Sequence, residues 1–225
     1  MQNHYFGDKH DFYKYHFLKR FADAYPLGIH WCLRPNNNDG LGKTKLTKTE
    51  ETKDSKLFSI LNSHKDQGIE RIKPYFEDCK YPVKYFDDEL IEYYMNYKYE
   101  KASIEALSSQ SIIFFDPDIG IEVQSTVNRN KYEYVSYNLL CRYWELNKSI
   151  IIYQHGDRSI YKTKEKIKIL FDILPNLEKD NVKVFTCNGI KYICLVNSRN
   201  ENFGNVIMLD IFEDLDKCYK KMIIV

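Results

Sequence analysis

Three carboxylates fall within seven residues in Asp116-Pro117-Asp118-Ile119-Gly120-Ile121-Glu122, directly after the apolar run Ser111-Ile112-Ile113-Phe114-Phe115. The run reads as a strand buried on both faces, and such strands belong to parallel α/β sheets whose ligands bind at the strands' carboxyl ends. Carboxylates crowded there repel one another unless a proton, a metal ion, a cationic side chain or a substrate's donors hold them. Asp116, Asp118 and Glu122 together suit Mg²⁺, which takes one or two carboxylates plus phosphate oxygens of a substrate. Asp118 followed by Glu122-Val123-Gln124 also imitates the acidic pattern of a metal-dependent nuclease, with glutamine where a lysine would stand. The purely structural alternative is a turn whose Asp side chains cap the next element.

A second buried run, Ser149 to Tyr153, ends in Gln154-His155-Gly156-Asp157-Arg158. His155 titrates near neutrality and suits a general base or a donor to a nucleobase. Arg158 can bind phosphate, while Asp157 can cap the next helix. Upstream, Asp11 and Lys14 lie about one helical turn apart and read equally as functional groups or as a surface ion pair. His4, His10 and His16 do not make a metal set, because His10 and His16 fall on different helix faces. The run Lys43-Thr44-Lys45-Leu46-Thr47-Lys48 can meet a phosphate backbone, and Tyr93, Tyr94, Tyr97 and Tyr99 can stack on bases or simply pack a helix.

These residues need a scaffold, and composition bounds it. At 225 residues the chain suits one α/β domain. Lys and Arg total 33 against 32 Asp and Glu, a formal charge of +1, so no global field draws it to nucleic acid or anionic membrane and any basic surface is local. The six cysteines show neither a C-x-x-C motif nor zinc spacing, which predicts reduced thiols. No segment approaches the roughly 18 apolar residues of a membrane span, and a cytoplasmic location without membrane partners is the expectation.

Along the chain, spacing predicts a helix from Asp8 to Tyr25 with Asp8 as its cap, then a strand over Gly28–Leu33. The Lys-, Thr- and Glu-rich stretch 43–55 predicts a solvated, flexible insertion. A short helix over 56–62, a strand over 81–86 and helix within 88–108 precede the carboxylate strand. A helix over 132–146, the His155 strand and a helix over 163–174 come after it. Val182–Cys187 and Ile190–Val196 around Asn188-Gly189 give a hairpin signal. Strands alternating with helices and closing on an antiparallel hairpin predict a Rossmann-like mixed sheet of the methyltransferase type.

The N-terminal stretch Gly7-Asp8-Lys9-His10-Asp11-Phe12-Tyr13-Lys14-Tyr15-His16 resembles the first helix of the adenine-N6 methyltransferases that act on 23S ribosomal RNA, and the later landmarks keep that family's order. The family's Asp-Pro-Pro-Tyr loop corresponds to Asp116-Pro117-Asp118-Ile119, with Asp and Ile in the last two positions. The resemblance implies S-adenosylmethionine held by Lys14 and by the loop Asp39-Gly40-Leu41-Gly42, no metal, and a nucleic acid or nucleotide substrate. It further implies an acceptor amine bound at Asp116 and Pro117, with His155 lining the acceptor side. Such a loop works because a carboxylate and a backbone carbonyl can accept both amine protons and aim the lone pair at the methyl group. Strand-Asp-x-Asp also resembles the first motif of haloacid-dehalogenase-like phosphatases, whose following Gly-Thr is absent. Three expectations therefore stand: a methyltransferase-like enzyme, a Mg²⁺-dependent nuclease or phosphohydrolase using Asp116, Asp118 and Glu122, or a non-catalytic nucleic-acid or nucleotide-binding module on the same fold.

Overall fold

The computed structural model describes residues 6–35, 44–63, 68–90, 96–123, 133–155, 160–200 and 205–222. Among them, seven strands form one mixed sheet. They are β1 (Leu27–His30), β2 (Lys84–Phe86), β3 (Ile112–Phe115), β6 (Ser149–Gln154), β7 (Val182–Cys187), β8 (Ile190–Leu195) and β9 (Lys220–Met222), in the order β2-β1-β3-β6-β8-β7-β9. β2, β1, β3 and β6 run parallel, and β8 enters antiparallel between β6 and β7. This is a Rossmann-like mixed sheet whose C-terminal strands include an antiparallel hairpin. Asn188 and Gly189, at φ 50° and 80°, supply the left-handed turn that hairpin needs.

Alternation along each strand divides the core. Ile112 and Phe114 of β3 face a layer made by α1 (Lys9–Ala22), α3 (Ser55–Ser63), a 3-10 turn (Ile69–Tyr75) and α7 (Asn205–Cys218). Ile113 and Phe115 face α4 (Asn96–Ala106), α5 (Tyr137–Glu145) and α6 (Ile160–Ile173). Covered on both faces, β3 has no exposed residue, as its unbroken apolar sequence predicts. The same alternation turns the next residue, Asp116, towards α1.

Chain order makes a switch point. From β1 the chain moves outward to β2 through α2 (Lys48–Lys53) and α3, then returns past β1 to β3 through α4 on the opposite face. The crevice outside the carboxyl ends of β1 and β3 is where open α/β sheets bind ligands.

Several expectations need correction. Within stretch 43–55, Lys48–Lys53 form the capped helix α2, in which Glu50 is buried while the other residues are exposed. Glu50 accepts from the Thr47 backbone N–H at 2.9 Å, from Tyr13 Oη at 2.9 Å and from the Lys9 ammonium at 3.2 Å. Helix α5 starts five residues later than predicted, because Tyr134–Val135 instead forms β5, paired with β4 (Gly120–Ile121). The sequence reading placed no element after the hairpin, where α7 and β9 lie. Among the described residues no helix is long and apolar enough to cross a membrane.

Candidate functional site

The first turn of α1 is built from acids. Asp8 caps the helix by accepting from the backbone N–H of His10 and Asp11, at 2.8 and 3.0 Å, and Asp11 accepts from the Gly7 N–H at 2.8 Å. One turn on, the Lys14 ammonium lies 2.7 Å from Asp11 Oδ1 and 2.7 Å from Asp116 Oδ2. Its side chain is 3% exposed, and the rings of Tyr15 and Tyr153 lie 4.9 and 5.5 Å from Nζ. The surface-pair reading of Asp11 and Lys14 therefore fails, because this is a buried triad joining α1 to the end of β3.

The electrostatics follow from crowding. Burial and the Asp11 charge push the Asp8 carboxyl up to about 7. Burial also raises Asp116, against the opposing pull of Lys14. Lys14 is held well above its ordinary value: desolvation lowers it, but Asp11 and Asp116 prevail. Beside the triad, the rings of His10 and His155 meet edge to face at 6.2 Å. Desolvation lowers both, and each is neutral at pH 7.

The carboxylates of the Asp-Pro loop do not converge. Asp116 faces Lys14, Asp118 is paired with the Arg34 guanidinium just after β1, and Arg34 also reaches Glu133 at 3.4 Å. Glu122 accepts from the Tyr137 N–H at 2.6 Å and so serves the start of α5. Among the described residues, no three His, Cys, Asp or Glu side chains are grouped to hold a metal ion. A divalent ion at Asp116, Asp118 and Glu122 would have to displace Lys14, Arg34 and a helix N-terminus.

Gln154 fixes the loop. Its amide donates to the Ile119 and His155 carbonyls, both at 2.9 Å, and accepts from the Ile121 N–H at 3.0 Å. The His155 N–H donates to the Ile119 carbonyl at 2.7 Å. Gly120 stands at φ 135°, and a methyl group there would lie 2.3 Å from the Gln154 amide. Sequence reading took Gln154 for a polar strand end; Gly120 was the signal that some group packs closely against the turn.

The structure thus brings together Lys14, Asp116, Pro117, Asp118 and His155 at one end of the sheet and assigns Glu122 to α5. Asp39, Gly40, Gly42 and Lys43 lie outside the described residues, as do His4, Tyr93, Tyr94, Gln124, Asp157 and Arg158. Sequence reasoning missed Asp8, whose capping position hid its proximity to Asp11, and Arg34, which sits beyond the end of β1. No family model, no curated protein and no solved structure matches this chain.

Proposed function

We propose that this chain is an S-adenosylmethionine-dependent methyltransferase-like protein acting on an amine of a nucleic acid or nucleotide. The observation that carries the reading is the seat of the Asp-Pro loop. Asp116, whose N–H donates to the His30 carbonyl at 3.0 Å, sits at the switch point between β1 and β3, and Asp39, Gly40 and Gly42 follow β1 in sequence.

The donor set fits a cationic cofactor. Asp11 and Asp116 hold one ammonium between them, and burial together with the Asp11 charge raises the neighbouring Asp8 carboxyl. When bound, the cofactor supplies an electrophilic methyl group. Asp39, Gly40 and Gly42 would hold it beside the crevice. Asp116 would accept one proton of the acceptor amine and the Pro117 carbonyl the other, orienting the lone pair. The neutral imidazole of His155, one strand over, would line the acceptor side.

Calorimetric titration with S-adenosylhomocysteine and then Mg²⁺ or Mn²⁺, on wild type and Asp116→Ala, tests this. The expected result is saturable cofactor binding in both proteins, with methyl transfer to adenine-containing oligonucleotides lost in the variant. Divalent-ion binding that disappears in Asp116→Ala, without any cofactor heat, would instead point to phosphodiester or phosphate chemistry.

A further inference from the structure

We propose that Lys14 is a positioning residue: wedged between Asp11 and Asp116, it fixes the orientation and charge of Asp116 from α1 and makes no contact with the cofactor. The inference rests on the methyltransferase-like reading and revises the cofactor contact expected of Lys14.

Geometry leads to it. The ammonium has carboxylate oxygens at 2.7 Å on two sides and two tyrosine rings against it, and its side chain is 3% exposed. A cofactor carboxylate would have to displace Asp11 or Asp116 to reach it. The contacts form a series from the Gly7 N–H through Asp11 and Lys14 to Asp116, spanning 102 residues of sequence at the Lys14–Asp116 step. The start of α1 thereby fixes where the Asp116 carboxylate points.

Packing does not require this arrangement. Phe12, Phe17, Leu18 and Phe21 already bury α1 against the sheet, and all are at most 1% exposed. Buried ion pairs often add no more stability than well-packed apolar side chains of similar volume, and perturbed, buried groups concentrate at functional sites. Asp116 is 2% exposed, and in so poorly solvated a place its carboxyl stays ionised only with a partner cation. Lys14 supplies that charge.

Among the described residues, the groups facing the pair include Asp8, His10 and Asp11 from the start of α1, Tyr15 from the same helix, Tyr153 from β6, Tyr192 from β8 and Cys32 from the loop after β1, with His155 against His10. The Asp116 signal has to be resolved from those of the other aspartates in this cluster. Carbon-13 NMR of labelled aspartate, assigned by loss of the Asp116 signal in Asp116→Asn, separates them.

The experiment compares wild type, Lys14→Met, Lys14→Arg and Lys14→Met/Asp11→Asn, the last removing the carboxylate that Lys14→Met would strand. Each folded variant is titrated by carbon-13 NMR, by calorimetry with S-adenosylhomocysteine, and by methyl-transfer rate against pH. We expect the Asp116 titration to move up by about 1–3 pH units without Lys14. Cofactor affinity should stay within about threefold, as for a residue without a cofactor contact, and the transfer rate should recover towards high pH as Asp116 ionises. Lys14→Arg, which keeps the charge, should restore most of the wild-type profile.

An unmoved Asp116 titration in the folded methionine variants would overturn the proposal. So would a loss of cofactor affinity with an unshifted pH profile, which would mark Lys14 as a cofactor ligand. Absence of cofactor binding by wild type would instead refute the methyltransferase-like reading, and the NMR titration would still decide the link between Lys14 and Asp116.

Discussion

At the scale of single residues, the end of β1 carries a fully buried histidine. His30 lies among Phe86, Tyr99 and Phe115, with ring centroids at 4.9–5.5 Å. Its Nδ1 accepts from the Cys32 N–H at 3.2 Å, so the ring proton sits on Nε2, which has no conventional partner among these aromatic rings. Burial holds the imidazole down to about 3. Because the folded value lies below the unfolded one near 6.5, the fold favours the neutral ring. The associated stability is complete above about pH 6.5 and is lost as pH falls towards 3, on the order of 4 kcal/mol across that window. Urea unfolding at pH 7, 5 and 4 should show wild type losing stability more steeply than His30→Asn, whose amide oxygen can still accept from Cys32. Parallel pH dependences in the two proteins would place the acid sensitivity elsewhere.

At the scale of elements, Glu122 has a clear structural task. It meets the first N–H of α5, while Ser136 Oγ caps the same helix by accepting from the Leu139 N–H at 3.1 Å. Ser136→Ala should cost about 1 kcal/mol of unfolding free energy, and Glu122→Gln about 0.5 kcal/mol through lost attraction to the helix N-terminus. Denaturant midpoints for the two variants decide this, and an unchanged midpoint in Glu122→Gln would return that carboxylate to the ligand candidates. Local and distant partners differ in how far sequence discloses them. The apolar runs of β3 and β6 and the Asn188-Gly189 turn were legible because periodicity and turn chemistry are local. So was Asp8 as a cap. The partners of the Asp-Pro loop were not, because Lys14, Arg34 and Gln154 reach it from other elements and no spacing rule encodes those meetings. Helix α2 was missed for the same reason: its anchor is one buried glutamate whose donors Tyr13 and Lys9 belong to α1.

For the whole molecule, sheet order separates a rigid centre from its two edges. β3, β6 and β8 are each paired on both sides and buried along their length, whereas β2 and β9 are three-residue edge strands. Backbone amides of the central strands should therefore exchange with solvent most slowly, and those of the edges fastest. The proposed site lies at the carboxyl ends of the interior strands β1 and β3, where α1 turns its acids towards Asp116. A ligand seated there stabilises the segments it touches in proportion to its saturation. Saturating S-adenosylhomocysteine should thus slow exchange in the segment after β1 and in residues 116–121, and leave the β7–β8–β9 side unchanged. The Gln154 clamp should extend that protection into the end of β6, since Ile119, Ile121 and His155 share its hydrogen bonds. Protection confined to the hairpin side, measured by hydrogen–deuterium exchange with mass spectrometry, would move the ligand away from the switch point and with it the role given to Asp116.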